Sequence, residues 1–490
     1  MRAKEKRTNS ERILCKNGNT AISTRPLFLN GTTRDVEAWA HANLPKHALM
    51  QRAGLAIARL AMAIAPHAQV IWIACGPGNN GGDGYEAAAY LKRWGKSPVV
   101  TACSHKDILP TDAAASRQSA LDAGVAITLE VPDQYDLCID ALFGIGKIRG
   151  FDPHYTDWIK RINSGTAPVL AVDTPSGLNA ETGTCPLGSV HADYTLSLLT
   201  LKPGLFTASG REACGEIWFN SLGVETSMGM CAVLSGTPQP FARAHNTHKG
   251  NFGDVGVVGG TQGMTGAALL AAVAALHGGA GRVYLALLDD SIARIDTNQP
   301  ELMFRNLDEI YFESMVIVAG CGGGEAITGH LEEILERSKR LVLDADALNA
   351  ISRDLVLQRK LKSRSHLTTV LTPHPLEAAR LMNIQGADVQ ANRLSVAQSM
   401  ADQFGCTIVL KGSGTVIAAP SSIARINPTG NARLATAGTG DVLAGLIGAH
   451  LASGKNAFES ACESAYRHGE VAEKWHHAYP LTAHNLARNL

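Results

Sequence analysis

The sequence predicts an α/β protein with two domains, each built around a largely parallel sheet. Short apolar runs alternate with helical patterns along the chain, which is typical of doubly wound sheets. Two glycine-rich segments, at 76–84 and at 437–441, lie far apart, and each is tied to a predicted helix. The length of 490 residues also exceeds what one ordinary hydrophobic core accommodates.

The first series of elements predicts a doubly wound sheet of the Rossmann-like type. The segment 49–65 has helical spacing, and the apolar run 70–75 reads as a buried parallel strand. After a glycine-rich loop, a helix is expected at 85–94 and strands at 98–102, 135–139 and 168–172. Asn80, Asp140 and Asp173 each come just past a strand. Because ligands of such sheets bind beyond the carboxyl ends of the strands, these three side chains are expected to share one site.

The second series begins near residue 254 and predicts another α/β domain. Strands are expected at 255–258, 282–287, 315–319, 340–343, 369–371 and 407–410, and helices at 265–277 and 442–452. The segment between the two series has weak periodicity and contains Gly236-Thr237-Pro238-Gln239-Pro240, so it is the predicted linker. We expect a disordered extension at 1–25, a first domain at 26–225, a linker at 226–244 and a second domain at 245–490.

The composition argues against partners that are recognised by charge. Lys and Arg number 44, as do Asp and Glu, and aromatic residues make up 5% of the chain, so neither nucleic acid nor an anionic membrane is an expected partner. The uncharged stretch 255–281 is broken by glycines and fits a strand, a loop, a helix and a turn better than a membrane span. The ten cysteines form no Cys-x-x-Cys pair, and the first 25 residues have no apolar signal region. We expect a cytoplasmic enzyme with buried, reduced thiols, assembled as a homo-oligomer.

The first glycine-rich loop matches the dinucleotide fingerprint only in part. Gly76-x-Gly78-x-x-Gly81 follows a strand, but the next strand runs into Cys103-Ser104-His105 without the acid that holds a ribose. An ordinary dehydrogenase site is therefore disfavoured. The longer string Asn79-Asn80-Gly81-Gly82-Asp83-Gly84-Tyr85 resembles the YjeF N-terminal family, the epimerases of hydrated NADH and NADPH (NAD(P)HX). The likeness continues through Asp140–Gly146, Asp173–Asn179 and Thr200–Leu205, and covers about 33–222.

That resemblance implies a K⁺ site and a catalytic carboxylate. The K⁺ ligands would be Asn80, Asp140 and Ser176, whose oxygens suit a hard cation. Asp173 would act as the acid or base at the reacting carbon. The substrate would contact Asn79, Asn80, Gly81, Gly82, Asp83, Gly144, Ile145, Gly146, Lys147, Ile148, Arg149, Gly150 and Asp173. The residues alone also allow simpler roles: Asp83 as the cap of a helix starting near Tyr85, and Asp140 and Asp173 as turn residues. Glu86 has no role in either interpretation.

The second glycine-rich segment predicts an anion site at a helix N-terminus. Gly438-Thr439-Gly440 would present free N–H groups, with Asp441 beside them as a base, and Lys411-Gly412-Ser413-Gly414-Thr415 supplies another anion cradle. The sequence contains no Walker loop, so a P-loop NTPase is disfavoured. The Gly-x-Gly-Asp arrangement resembles the ribokinase-like kinases, which implies a ribokinase-like α/β fold for the second domain.

Within that superfamily the chain resembles the YjeF C-terminal group, the ADP- or ATP-dependent NAD(P)HX dehydratases. The matching segments are 248–253, 259–268, 343–349, 371–377, 410–415 and 427–441, but Gly320-Cys321-Gly322-Gly323-Gly324 replaces the usual Gly-Pro-Gly-Leu-Gly. By position, Ala267, Gly322, Gly324, His374 and Asp441 would contact the hydrate, with Asp441 catalytic. Lys411, Gly412, Ser413, Gly414, Thr415 and Gly440 would hold the nucleotide. Glu377 would position Mg²⁺ through water, while Asp344 and Asp346 stay ambiguous between site residues and a strand-end turn.

The two resemblances together imply repair of hydrated NADH and NADPH. The first domain would epimerise R- and S-NAD(P)HX, and the second would use ADP to dehydrate the S form, releasing AMP and phosphate; ATP remains open as the phosphoryl donor. The implied cofactors are one K⁺ and Mg²⁺, and the implied partners are NAD(P)HX and ADP. One alternative is a ribokinase-type small-molecule kinase fused to a Rossmann-like binding domain. Another is a first domain that acts as a scaffold without catalysis.

Overall fold

The computed structural model describes residues 10–14, 22–102, 109–146, 153–226, 228–239, 244–289, 295–365, 367–476 and 478–490. The chain forms two compact units, Met1–Ala232 and Val233–Leu490, whose boundary falls inside the predicted linker at 226–244. Both units are α/β, which confirms the predicted fold class. None of the helices in the described ranges is long and apolar enough to cross a membrane.

The first unit contains a sheet with the strand order β1-β9-β8-β7-β6-β3-β4-β5. All neighbouring strands are parallel except β1 and β9, which are antiparallel. The strands are β1 (Glu11–Leu14), β2 (Arg25–Leu27), β3 (Val70–Cys75), β4 (Ser97–Ala102), β5 (Ala126–Thr128), β6 (Leu137–Ala141), β7 (Val169–Val172), β8 (Tyr194–Leu198) and β9 (Glu216–Asn220). The helices are α1 (Asn30–Asn43), α2 (Ala48–Ile64), α3 (Asn79–Arg93), α4 (Thr111–Asp122), α5 (Pro153–Ser164) and α6 (Gly210–Ala213).

Three predicted boundaries in this unit are wrong. Strand β1 lies inside the stretch 1–25 that was expected to be disordered, where it pairs with the edge strand β9 and satisfies backbone groups that the edge would leave open. Helix α3 begins at Asn79 and not near Tyr85, so Gly81, Gly82 and Gly84 belong to its first turns. Strand β6 extends to Ala141, which places Asp140 within the strand and not beyond its end.

The sheet of the first unit has an apolar core on each face. Successive residues of β3 point to opposite faces: Ile71 and Ile73 join one cluster, whereas Trp72 and Ala74 join the other. The first cluster includes the apolar sides of α2 and α3, and the second includes Trp158 of α5. Burial on both faces explains why the central strands read as continuous apolar runs in the sequence.

The second unit contains strands in the order β13-β12-β11-β14-β15-β16-β17-β18-β19-β10, all parallel to their neighbours except at β17–β18 and β18–β19. The strands are β10 (Ala232–Leu234), β11 (Asp254–Gly259), β12 (Arg282–Leu287), β13 (Met303–Phe304), β14 (Val316–Ala319), β15 (Arg340–Leu343), β16 (Thr369–Leu371), β17 (Thr407–Leu410), β18 (Val416–Ala418) and β19 (Arg425–Ile426). The helices are α7 (Thr265–His277), α8 (Leu331–Arg337), α9 (Ala345–Arg353), α10 (Leu355–Lys362), α11 (Pro375–Met382), α12 (Gly386–Ala391), α13 (Arg393–Phe404), α14 (Thr439–Ala452), α15 (Ala457–Glu473) and α16 (Ala483–Arg488).

Helices α7 and α14 pack closely in the core of the second unit. A Cβ added to Gly445 of α14 would lie 2.0 Å from the carbonyl oxygen of Ala271 on α7, so only glycine permits this approach. The stretch 255–281 forms β11, a loop, α7 and a turn, the order of elements that its sequence predicted. The core that α7 and α14 share holds the N-terminus of α14 in place, where the second glycine-rich segment lies.

The cysteines of the described residues are free thiols. Cys75, Cys138 and Cys406 are buried in strands or directly before one, as their apolar surroundings predicted. Cys214, Cys321 and Cys462 are buried as well. Burial raises the pKa of each of these thiols above its ordinary value.

Candidate active sites

The first site is a cavity of roughly 510 Å³ beyond the carboxyl ends of β3, β6 and β7. Seven of the residues that the sequence singled out lie on its wall: Asn79, Asn80, Asp83, Gly144, Ile145, Gly146 and Asp173. Gly81 and Gly82 do not line this cavity, because they are buried where α3 packs against Gly76 and Ala113. Lys147, Ile148, Arg149 and Gly150 lie outside the described residues.

Asp173 forms a buried ion pair that local sequence patterns did not reveal. It follows β7 in the left-handed backbone region with φ 63°, a strained conformation that concentrates at functional sites. Its Oδ1 accepts hydrogen bonds from the ammonium of Lys202 and, at 3.1 Å, from the N–H of Leu198. The Lys202 ammonium also donates to the Leu198 carbonyl oxygen at 2.8 Å, and the side chain is fully buried. The pair fixes the Asp173 carboxylate at the cavity wall, with its second oxygen left for other contacts.

Asp140 and Ser176 form a tight polar cluster beside the cavity. Ser176 donates from its hydroxyl to Oδ1 of Asp140 at 2.6 Å and from its N–H to Oδ2 at 2.8 Å, and the Leu142 N–H donates to Oδ1 at 3.2 Å. Even with these hydrogen bonds, burial raises the pKa of Asp140 to about 6. The buried amide nitrogen of Asn80 has no hydrogen-bond partner, and rotation of the carboxamide would turn its oxygen to that point. An amide oxygen, a buried carboxylate in need of positive charge and a hydroxyl fit a monovalent cation.

Asp83 lies on the wall of the same cavity and is not a helix cap. Because α3 begins at Asn79, Asp83 is in the second turn, and the capping interpretation is wrong. Burial, followed by the charge of Asp173, raises the pKa of Asp83 well above its ordinary value. The raised pKa favours the protonated form of this carboxyl group, which can donate a hydrogen bond into the cavity. Asp83 and Asp173 thus place two carboxyl groups in different surroundings on one wall, which is a common arrangement for acid–base work.

Glu86, which had no role in the sequence, belongs to the packing beneath the cavity. It is buried, and its Oε2 lies 3.5 Å from Nε2 of His47, the residue that precedes α2. A Cβ on Gly54 of α2 would lie 2.5 Å from the Glu86 side chain. Glu86 therefore connects α2 and α3 and does not line the cavity itself.

The second site is a charge cluster where β15, β17 and α14 meet. The Lys411 ammonium donates to Oδ1 of Asp344 at 2.7 Å, and both side chains are mostly buried. Burial alone would lower the pKa of Lys411, but the charges of Asp344 and Glu377 raise it above its ordinary value. A Cβ on Gly440 would lie 3.2 Å from the Lys411 ammonium, so the N-terminus of α14 is in direct contact with this cluster. Asp344, ambiguous in the sequence, is thus part of the site.

Asp441 lies in the same cluster, next to Cys321, which stands at the usual proline position of the loop 320–324. The Sγ atom of Cys321 and one carboxylate oxygen each from Asp344 and Asp441 all lie within 4.8 Å of one another. Burial and the neighbouring charge of Asp344 raise the pKa of Asp441 to about 6, whereas the Cys321 thiol, which donates a hydrogen bond to this carboxylate, and Lys411 lower it. Asp441 is therefore deprotonated at neutral pH and close to the range in which a general base works well. Its charge also keeps the Cys321 thiol protonated.

His374 and Glu377 form a capping box at the start of α11. Nδ1 of His374 accepts from the N–H groups of Leu376 at 3.1 Å and Glu377 at 3.4 Å, while Oε2 of Glu377 accepts from the His374 N–H at 2.8 Å. Burial raises the pKa of Glu377 to about 7, and Lys411 opposes that shift. One carboxylate oxygen of Glu377 therefore caps the helix, and the other lies 3.3 Å from Nε2 of His374.

The glycine-rich loop after β14 lies against the start of α7. A Cβ on Gly322 would lie 3.0 Å from the Cβ of Ala267, so these two predicted hydrate contacts are neighbours. The N–H of Gly324 donates to Oδ2 of Asp346 at 2.8 Å, which assigns Asp346 to shaping this loop. Gly320, Gly322 and Gly324 all have positive φ, a backbone conformation that residues with a Cβ rarely adopt, and Cys321 is buried beneath the loop.

Comparison with known proteins covers both units. The family model described as "YjeF-related protein N-terminus" matches residues 46–204, and the model described as "NAD(P)H-hydrate dehydratase" matches residues 255–490. The chain is 36% identical to the bifunctional NAD(P)H-hydrate repair enzyme Nnr of Escherichia coli, with 88% of this chain and 85% of that protein covered. It is 33% identical to the bifunctional NAD(P)H-hydrate repair enzyme of Leishmania braziliensis, with coverage of 95% and 92%. A crystal structure of the ADP/ATP-dependent NAD(P)H-hydrate dehydratase from Bacillus subtilis with ATP and Mg²⁺ is 30% identical, covering 50% of this chain and 90% of that one at a TM-score of 0.43.

Proposed function

Since this chain belongs to the family of bifunctional NAD(P)H-hydrate repair enzymes, we propose that its two units carry out the two successive steps of that repair at the residues described above. The first unit interconverts R- and S-NAD(P)HX, and the second converts the S form to NADH or NADPH at the expense of ADP. The observation that carries the proposal is one buried lysine–aspartate cluster in each matched segment, Asp173 with Lys202 and Asp344 with Lys411 beside Asp441.

Epimerisation requires that the C6 hydroxyl leaves and returns on the other face. The C6–O bond breaks with its electron pair, and the ring nitrogen supplies the electrons of a C=N bond. The oxygen departs as water after it takes a proton from the carboxyl group of Asp83 on the same wall. Asp173, held by Lys202, stabilises the iminium cation and accepts the proton of the returning water. K⁺ would be held by Asn80, Asp140 and Ser176, and it supplies positive charge beside the buried carboxylate.

Dehydration follows phosphorylation of the same hydroxyl. Asp441 takes the hydroxyl proton while the oxygen attacks the β-phosphorus of ADP, and AMP leaves. Loss of phosphate from C6 and of a proton from C5 to water then forms the C5=C6 double bond and restores the dihydropyridine ring. The N-terminus of α14 at Gly438–Gly440 stabilises the transferring phosphoryl group, and Lys411–Thr415 holds the nucleotide. Ala267, Gly322, Gly324 and His374 form the hydrate side of the site. Glu377 would hold Mg²⁺ through water, and the bound ion would offset phosphate charge.

The test is recovery of NADH from mixed epimers of NADHX with ADP, Mg²⁺ and K⁺, followed by the absorbance of the reduced nicotinamide. The wild type is expected to recover all of the NADH. Asp173→Asn is expected to recover only the S fraction beyond slow spontaneous epimerisation, and Asp441→Asn none. Mixing the two variants should restore full recovery, which serves as the control for folding of each intact unit.

Two outcomes would contradict the proposal. If ADP gives no NADH but ATP does, the donor assignment is wrong while the repair reaction stands. If neither gives NADH and a phosphorylated product accumulates, the chain acts as a ribokinase-type kinase. A cytoplasmic location and a homo-oligomeric assembly stay predictions, which cell fractionation and static light scattering of the purified chain test.

A further inference from the structure

A buried arginine supports the loop that follows β17. Arg393, the first residue of α13, is 1% exposed. Its Nη2 donates to three carbonyl oxygens of that loop and strand end: Leu410 at 3.1 Å, Lys411 at 3.2 Å and Gly414 at 3.5 Å. Its Nη1 donates to Oε1 of Gln390 on α12 at 2.9 Å. Although burial lowers the pKa of Arg393 to about 10, the guanidinium is charged at neutral pH.

The loop is built to admit this guanidinium. Gly412 has φ 134°, a backbone conformation that side chains with a Cβ rarely adopt. A Cβ at this position would lie 2.8 Å from Nη1 and 3.0 Å from Nη2 of Arg393. A side chain at position 412 would therefore clash with Arg393, whether or not a ligand lies on the outer side of the loop.

The carbonyl groups that Arg393 holds determine where the N–H groups of the loop point. In a trans peptide the C=O and the N–H of the following residue point in opposite directions. With the Lys411 and Gly414 carbonyls directed at the guanidinium, the N–H groups of Gly412 and Thr415 face away from it. The N–H of Lys411 is bound separately, to the carbonyl oxygen of Pro373 at 2.9 Å, which fixes the start of the loop and directs the lysine side chain to Asp344.

We propose that Arg393 is a positioning residue for the adenine nucleotide: it holds Lys411–Thr415 so that the N–H groups of Gly412 and Thr415 face the phosphates. The inference rests on the proposed nucleotide site, and it adds a residue that does not itself contact nucleotide. A lysine in its place keeps the charge but offers a single ammonium and not a planar guanidinium that spans several carbonyls. The loop would then sample conformations in which its N–H groups are no longer aligned.

The test compares Arg393→Lys with the matched control Arg364→Lys in the full chain. Arg364 is a partly buried arginine of the second unit, whose guanidinium donates to the carbonyl oxygens of Leu335 and, at 2.7 Å, Ser338. For Arg393→Lys we expect the KM for ADP to rise about tenfold, because this is the factor that corresponds to the loss of one hydrogen bond from a charged donor. The KM for S-NADHX is expected to stay within about twofold of the wild-type value. Arg364→Lys is expected to change neither KM, because Arg364 makes no described contact with the loop Lys411–Thr415.

A second variant covers the case in which Arg393→Lys does not fold. Gln390→Ala removes the exposed partner that orients the guanidinium, and it is expected to raise the KM for ADP about threefold, since a weaker constraint is lost. Calorimetric titration of ADP and ATP into each protein gives the same comparison without turnover. If the wild type binds neither nucleotide, the proposed nucleotide site is wrong. If it binds them but both variants leave ADP affinity unchanged, or weaken ADP and hydrate equally in step with a lower Tm, Arg393 is only a structural residue.

Discussion

Replacement of Lys202 by Met would test how strongly the first site depends on its buried ion pair. Methionine keeps most of the apolar side-chain volume but removes the ammonium, so the change is electrostatic more than steric. It leaves the Asp173 carboxylate, whose side chain is 13% exposed, with the Leu198 N–H as its remaining described donor. The Lys202 ammonium itself has no access to solvent.

The expected cost follows from that burial. Removing one partner of a buried ion pair costs about 3–5 kcal/mol, because the remaining charge stays desolvated. The double variant Asp173→Asn, Lys202→Met removes both charges and should recover a large part of the loss. Lys160→Met is a matched control, because the Lys160–Asp157 pair is exposed on both sides and should contribute nothing measurable to stability.

Tryptophan fluorescence during urea unfolding can follow this unit selectively. Five of the six tryptophans belong to it: Trp39, Trp72, Trp94, Trp158 and Trp218. The variant should unfold at a lower urea concentration with an unchanged slope. The ion pair does not have this effect if Lys202→Met unfolds together with the wild type, or if the double variant is no more stable than Lys202→Met alone.

Three further predictions concern single groups. The kcat/KM of the dehydratase should fall as pH drops through about 6, where Asp441 takes up a proton. Cys321→Ala should move that midpoint upward, because the thiol no longer stabilises the Asp441 carboxylate. A pH profile of kcat/KM for the wild type and the variant checks both. Exchange of K⁺ for choline at constant ionic strength should slow the epimerase and spare the dehydratase, whereas an Asp140→Asn epimerase should no longer respond; equal rates in both salts would contradict the assignment. Gly445→Ala should destabilise the second unit by about 1–3 kcal/mol, since its methyl group meets the Ala271 carbonyl, and thermal unfolding measures this.

The parallel strands and their helices could be read from the sequence because burial on both faces produces continuous apolar runs. The predicted strands at 282–287, 340–343 and 407–410 and the helix at 265–277 coincide with the observed elements. The start of α3 was misplaced because glycines have low helix propensity, yet close packing of α3 against the neighbouring backbone requires residues without a Cβ there. Strand β1 was missed because an edge strand of four residues carries little apolar signal.

The sequence could indicate site residues that follow strands or begin helices. It could not indicate contacts that depend on partners far away along the chain. Asp173 and Asp441 were found from glycine-rich motifs at strand and helix ends. Lys202 was noted only as part of a matched segment, and Asp344 was left between a site residue and a turn. Their partners lie 29 and 67 residues away, and no local pattern indicates such pairs. Arg393 lies at the start of an ordinary amphipathic helix, where an arginine is most often a surface residue.

The buried thiols of each unit can report on the opening of that unit's core. Cys75, Cys138 and Cys214 are shielded in the first unit, and Cys321, Cys406 and Cys462 in the second. Since a protonated, inaccessible thiol does not react with an alkylating reagent, modification of these positions proceeds only through opening of the surrounding core. Brief exposure to iodoacetamide followed by peptide mass spectrometry would therefore measure the opening free energy of the two units separately in one sample, and would show which of them the binding of ADP or of the hydrate protects.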